Sequence, residues 1–223
     1  MMIRILYSSL LVLLMMTTAT AQKKIKQGII RYVITDIHTD VPEMELMKGS
    51  TLELFFSTKK QKVRMNLMRG AMITETIIDH KTGESIMLTE LMGRKVRIDN
   101  AKPIKHSALR QQGVIYDKDA TKDIAGYRCH KAIIRNTDGE RLVAYITNRI
   151  APRSDYLDHL FMGLEGFPLE YTVVNNEVAI TFTAEEVTDH IDASAFYVLG
   201  EYEKMSEEAF RTLMGDFDLG LGY

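Results

Sequence analysis

The chain has 223 residues, with 28 Lys and Arg against 30 Asp and Glu, for a net charge of −2. That near balance, without a block of like charge, excludes a basic nucleic-acid groove. A single cysteine excludes an internal disulfide, so stability has to come from packing and sheet hydrogen bonds.

The first residues read MMIRILYSSLLVLLMMTTATAQ, with Arg4 as the one charge, an apolar run from Leu10 to Met16, and the small-residue pattern Ala19-Thr20-Ala21. This is the layout of a secretory signal peptide cleaved after Ala21. A transmembrane anchor needs about 20 mainly apolar residues, and here the run gives way to Thr and Ala before the cationic stretch at Lys23. No cysteine sits at the new N-terminus, so a lipid anchor is not expected. The predicted address is the periplasm or the exterior. What remains, about 200 residues, fits one large β domain or two small ones. With no Pro/Gly/Ser linker to divide it, a single domain over 22–215 is expected, followed by a mobile tail at 216–223.

GIIRYVITDIH (28–38) is rich in β-branched and aromatic residues and predicts a long strand. DVPEMELMKG predicts one or two helical turns, opened by Pro42 and closed by Gly49. In TLELFFS, Leu52, Leu54 and Phe56 share a face; in KVRMNLM, Val63, Met65 and Leu67 do so, opposite Lys62, Arg64 and Asn66. Such alternation marks a sheet with one dry and one wet face. MITETIID and ESIMLTEL flank the turn-like HKTG, which predicts a hairpin over 72–91, and Met92-Gly93 leads into KVRID.

Residues 100–112 lose the alternation and predict a long loop or a short helix. GVIYDKD, GYRCHKAIIR and ERLVAYIT resume it, the last two joined by NTDGE, a tight-hairpin signal. In the non-strand interval 148–167, SDYLDHLFMG predicts a short helix over the sheet. LEYTVV and VAITFTAEEV follow, separated by Asn175-Asn176. The clearest helix starts after Ser206, an N-cap. Glu207 and Glu208 suit its first turn, Met205 can staple against Phe210, and Phe210, Leu213 and Met214 share a face before Gly215. About ten mostly hairpin-linked strands with two or three short helices predict a mainly β fold: a large, curved antiparallel sheet or incomplete barrel with a helical lid.

Catalytic chemistry is sparse. Cys129 and His130 are adjacent on a strand, so their side chains diverge and cannot meet one atom. Cys129 reads as a buried strand residue. The six histidines are scattered without zinc spacing, and no metal site is expected. Thioethers can hold Cu(I). Met65, Met68 and Met72, or Met44 and Met47, admit that reading, but core or lining is preferred, since strand parity separates Met65 from Met68. Glu185-Glu186 and Glu207-Glu208 read as solvated surface and helix start rather than an acid–base pair. No P-loop and no Gly-x-Ser-x-Gly elbow occurs.

The stretches TIIDHKTGESIMLTELMGRKV, KDIAGYRCHKAII, GLEGFPLEY and YEKMSEEAFRTLMG resemble, in this order, a family of secreted bacterial proteins mainly of Bacteroidota, domain of unknown function 4412. That family is similar to the periplasmic lipoprotein carriers of the LolA and LppX type. The resemblance implies a LolA-like incomplete antiparallel barrel whose concave apolar side is covered by helices. It implies no catalytic motif and no cofactor.

The expected function is therefore noncatalytic. An exported envelope protein would shelter a lipid, a lipoprotein acyl chain or another apolar small molecule between the concave face and its lid. Leu54, Phe56, Met65, Leu67, Ile86, Leu88 and Phe182 are the candidate liners, and Phe210, Leu213 and Met214 the lid helix. The alternative is an envelope interaction module with a filled core that docks a protein partner by strand addition. Cu(I) binding through Met ranks below both. A membrane-spanning barrel is disfavoured by short strands, charged wet faces and the absence of Trp.

Overall fold

The computed structural model describes residues 24–91, 93–101, 111–136, 141–153, 164–175 and 178–214. The expected signal peptide and tail lie outside them, as do the predicted helix at 154–163, most of the interval 100–112, and the Asp-Gly hairpin tip.

The strands are β1 (Gly28–His38), β2 (Thr51–Phe56), β3 (Lys60–Leu67), β4 (Met72–Asp79), β5 (Ser85–Leu91), β6 (Arg94–Asp99), β7 (Gln111–Ile124), β8 (Tyr127–Asn136), β9 (Arg141–Thr147), β10 (Phe167–Asn175), β11 (Val178–Thr188) and β12 (Glu203–Lys204). They form one sheet in the order β12-β6-β5-β4-β3-β2-β1-β11-β10-β9-β8-β7. Two meanders, β1 to β6 and β7 to β11, thus join through the central β1–β11 pair. Among the described strands every pairing is antiparallel except that of the short β12 with β6, and an isolated parallel bridge joins Ile25 to Ile150.

The turns follow from the residues the sequence singles out. Pro42 opens a 3-10 turn, Pro42–Met47, and Gly49 ends it at φ +81°. In the β4–β5 hairpin, Asp79 Oδ1 accepts from the Lys81 and Thr82 amides, and Gly83 takes φ +75°.

The sheet is strongly curved. Four strand positions separate β7 from β11, about 19 Å in a flat sheet, yet their Cα atoms come within 8 Å. The curl brings Lys122 Nζ of β7 to 2.6 Å from Glu170 Oε2 of β10. β7 is also longer than the alternation indicates. Asp117 Oδ1 accepts from the Asp119 and Ala120 amides, which forms a bulge, and the ladder resumes from Thr121↔His130 to Ile124↔Tyr127.

The main core cluster joins the two meanders. It includes Ile30, Tyr32 and Ile34 of β1, Leu54 and Phe56 of β2, Leu67 and Met72 at the β3–β4 turn, Phe182 of β11 and Cys129 of β8. Burying a side chain of this size stabilises the fold by about 1.5–3 kcal/mol. The Tyr32 hydroxyl is satisfied inside this core by the Pro168 carbonyl at 2.7 Å.

Candidate functional site: the apolar face and its covers

Directly paired residues of antiparallel strands share a face, so the unbroken register from β1 to β6 defines both sides of that half. One face carries the rows Tyr32–Leu52–Met65–Thr74–Thr89–Val96 and Ile30–Leu54–Val63–Thr76–Met87–Ile98. The other carries Glu53–Arg64–Glu75–Leu88–Arg97 and Phe55–Lys62–Ile77–Ile86–Asp99.

Of the candidate liners, Leu54, Phe56, Met65 and Leu67 stand together on the apolar face. Phe182 joins them through β1, opposite Ile34, with its ring stacked 5.1 Å from Tyr171. Ile86 and Leu88 do not belong to this group, and the expectation is corrected: the register turns both to the opposite face. The stretch SIMLTEL is apolar at Ile86, Met87 and Leu88 in succession, so its alternation does not choose a face. The pairing Thr76↔Met87↔Ile98 does.

The methionine reading is also corrected in one respect. Strand parity stops at Leu67, where the chain enters a 3-10 turn with Met68 at φ +50°, and Met68 packs on the same core as Met44, Met47, Met65 and Met72.

The apolar face is not evenly covered. Leu54, Phe56, Leu67 and Met72 are each 4% exposed or less, whereas Leu52, Val63 and Met65 between them are only half-buried. Over β5 and β6 the cover is α1 (Glu207–Met214). Ser206 Oγ accepts from the Ala209 amide at 3.1 Å and caps it, and Phe210 packs with Met87, Val96, Ile98 and Met205. Leu213, expected on the packed face, is 42% exposed and is corrected to the outer side of the helix. An eight-residue helix seats little more than one large side chain. The side chain of Met214 lies outside the described residues.

The opposite face has a cover that the sequence did not reveal. After β11 the chain forms a strap over residues 189–202. Its 3-10 turn, Ala193–Phe196, is capped by Asp192, approaches β3, and buries Phe196. Tyr202 donates its hydroxyl to Glu90 Oε1 at 3.1 Å. Arg94 and Glu203, then Lys204 and Asp99, pin β12 beside β6. Beneath lie Ile77 and Leu88, both 5% exposed or less, and the ionic row. Lys62 Nζ is 3.9 Å from Glu75 Oε2 and 4.3 Å from the centre of the Phe55 ring; Arg64 Nε is 3.3 Å from Glu75 Oε1. Burial pushes the Lys62 amine below its ordinary value, and Glu75 opposes that shift.

Cys129 and His130 part as strand geometry requires. Cys129 is fully buried, and its thiol is pushed up to about 12 by burial, then by Asp123 and Glu170. His130 is exposed, with Nδ1 3.2 Å from the Lys118 carbonyl oxygen. The two do not form a nucleophile and base.

No family model and no curated protein matches the chain. Among solved structures it is similar to a DUF1329 family protein from Desulfovibrio piger ATCC 29098, with a TM-score of 0.34 and 10% identity over 77% of this chain and 90% of that one.

Proposed function

We propose that this chain is a noncatalytic exported envelope protein, periplasmic or secreted after cleavage at Ala21, that holds a lipid, acyl chain or other apolar ligand on the apolar face. The observation that carries this reading is the group Leu52, Val63 and Met65, which is only half-buried beside the fully covered Leu54, Phe56, Leu67 and Met72 of the same face. Accessible apolar surface with few polar groups is the common lining of small-molecule sites. The resemblance to domain of unknown function 4412 and the LolA and LppX carriers supports the same reading. Each buried methylene contributes about 0.8 kcal/mol, so a partly inserted acyl chain is retained through purification. Native mass spectrometry of protein purified without detergent should show bound lipid, and Met65→Glu should abolish it. Lipid-free protein that also takes up no apolar dye would sink the proposal.

A second reading, a module that docks a protein partner by strand addition, draws on β7. This strand ends the sheet and carries Ile115 at 48% exposure. Crosslinking in intact envelopes through residue 115 separates it from the first, because a carrier with no partner on this edge gives no discrete adduct there.

A further inference from the structure

The apolar face holds polar groups that the fold itself does not satisfy. Thr89 is 2% exposed and its hydroxyl has no hydrogen-bond partner; Gln61 is 3% exposed and its Oε1 has none. Register places both on the apolar face, Thr89 between Thr74 and Val96, and Gln61 between Phe56 and Ile78. Folded proteins pair nearly all their buried polar atoms, so an unpaired one leaves hydrogen-bonding capacity that a bound molecule can satisfy. Two strands and four residues separate the two groups, roughly 16 Å.

Across β2 to β5 the face is also free of charge, and the two charges that the register adds at its β6–β12 edge, Arg94 and Glu203, pair with each other at 3.1 Å. From Leu52 to Leu91, no described residue that shares it is Lys, Arg, Asp or Glu. The nearby Lys62 and Arg64 alternate onto the opposite side, where Glu75 holds them. A carboxylate or phosphate laid on this surface would be desolvated without a counter-ion, whereas a hydroxyl, ester or amide meets a neutral partner. We propose that the apolar face selects uncharged amphiphiles over ionised lipids, with Thr89 and Gln61 as the hydrogen-bonding points that fix the polar groups of the ligand. This rests on the apolar-ligand reading above and names the ligand class.

The test uses delipidated protein loaded with the neutral dye N-phenyl-1-naphthylamine and displaced by chain-matched monoolein or oleate at a pH where oleate is ionised. Monoolein should displace the dye at a concentration at least about tenfold lower, and oleate should gain potency as acidification protonates it. With dye affinity measured for each variant, Thr89→Val and Gln61→Leu should lower the affinity for monoolein several-fold relative to that for the dye, and Thr89→Ser should restore the ratio. Thermal melts establish that each variant is folded, and Thr89→Val is close to isosteric. Equal potency of oleate and monoolein, or unchanged displacement in both variants, overturns the selectivity and leaves the apolar site standing. Failure of the dye and both lipids to bind overturns the apolar site itself and the selectivity with it.

Discussion

Tyr202 donates its hydroxyl to the same Glu90 oxygen that Lys95 holds at 2.9 Å, so one carboxylate on β5 anchors the strap. The Lys95 and Tyr202 hydrogen bonds keep the Glu90 carboxyl below its ordinary value, against the effect of burial. Burial, then the bond to Glu90, pushes the Tyr202 hydroxyl up to about 12. Glu90 binds fewer protons folded than unfolded. Its contribution is complete above the ordinary carboxyl range and is lost as pH falls through the lowered value. Tyr202 binds more protons folded. Its contribution is present below about 10 and is lost as pH rises toward about 12. Tyr202→Phe should cost about 1 kcal/mol at neutral pH and make the alkaline loss shallower in calorimetric melts. An unchanged alkaline limb would show that the strap is held elsewhere.

Lys62 carries an opposite linkage. Its amine lies below its ordinary value, so the folded state binds fewer protons there, and the penalty of burying the cation lifts as pH rises toward the unfolded value of 10.5. Lys62→Met keeps the packing against Phe55 without that charge. It should be as stable as the parent or about 1 kcal/mol more stable at neutral pH, and lose the pH-linked gain. Glu75→Leu should lose about 1–3 kcal/mol, because Lys62 and Arg64 are then left facing each other. Denaturant titrations at neutral and mildly alkaline pH read both variants. A large loss in Lys62→Met would mean that the ion pair contributes net stability.

The hairpins from β2 to β6 were legible because their alternation coincides with turn chemistry at Asp79–Gly83 and with a two-sided environment. The helix start was legible because Ser206, Glu207 and Phe210 each act locally. What escaped depends on distant contacts. β5 presents apolar residues at both parities because the strap makes its second face dry as well, and nothing in SIMLTEL shows that a segment a hundred residues later will cover Leu88. The strap itself has no period, since it crosses strands rather than joining their ladder. β7 looked half its length because the residues after Asp117 are polar, and only Asp117 bonding to the Asp119 and Ala120 amides shows that they form a bulge. Apolar parity located Leu54, Phe56, Met65 and Leu67 on one surface. It could not locate Thr89 and Gln61, whose significance lies in having no partner.

Cys129 should be chemically silent in the native state. A fully buried thiol held near 12 has almost no thiolate at neutral pH and no path to a reagent. Its reaction with a disulfide reagent should therefore follow global unfolding, with a rate that rises along the denaturation curve. Cys129→Ala should cost about 1–2 kcal/mol through lost packing without changing ligand uptake. Rapid labelling of folded protein would place the β7–β8 end of the core in exchange with solvent.

Among the described residues, Phe210 is the one buried side chain that α1 contributes to the cover over β5 and β6, with Met205 packed beside it. Isolated helices shorter than about 12 residues do not hold in water, so the eight residues of α1 persist because Phe210, 6% exposed, is seated against Met87, Val96 and Ile98. Phe210→Ala should detach the helix while the central strands stay folded: amides 207–214 should exchange as coil, those of β1–β4 should keep their protection, and apolar dye uptake should rise as the face opens. Ser206→Ala should give a weaker version, about 1 kcal/mol, since it removes the cap and leaves the anchor. Leu213→Ala should change little because that side chain stands in solvent. If Phe210→Ala unfolds the whole sheet, the helix is part of the core; if it leaves helix protection intact, another contact holds it. Either result removes α1 as a separable cover.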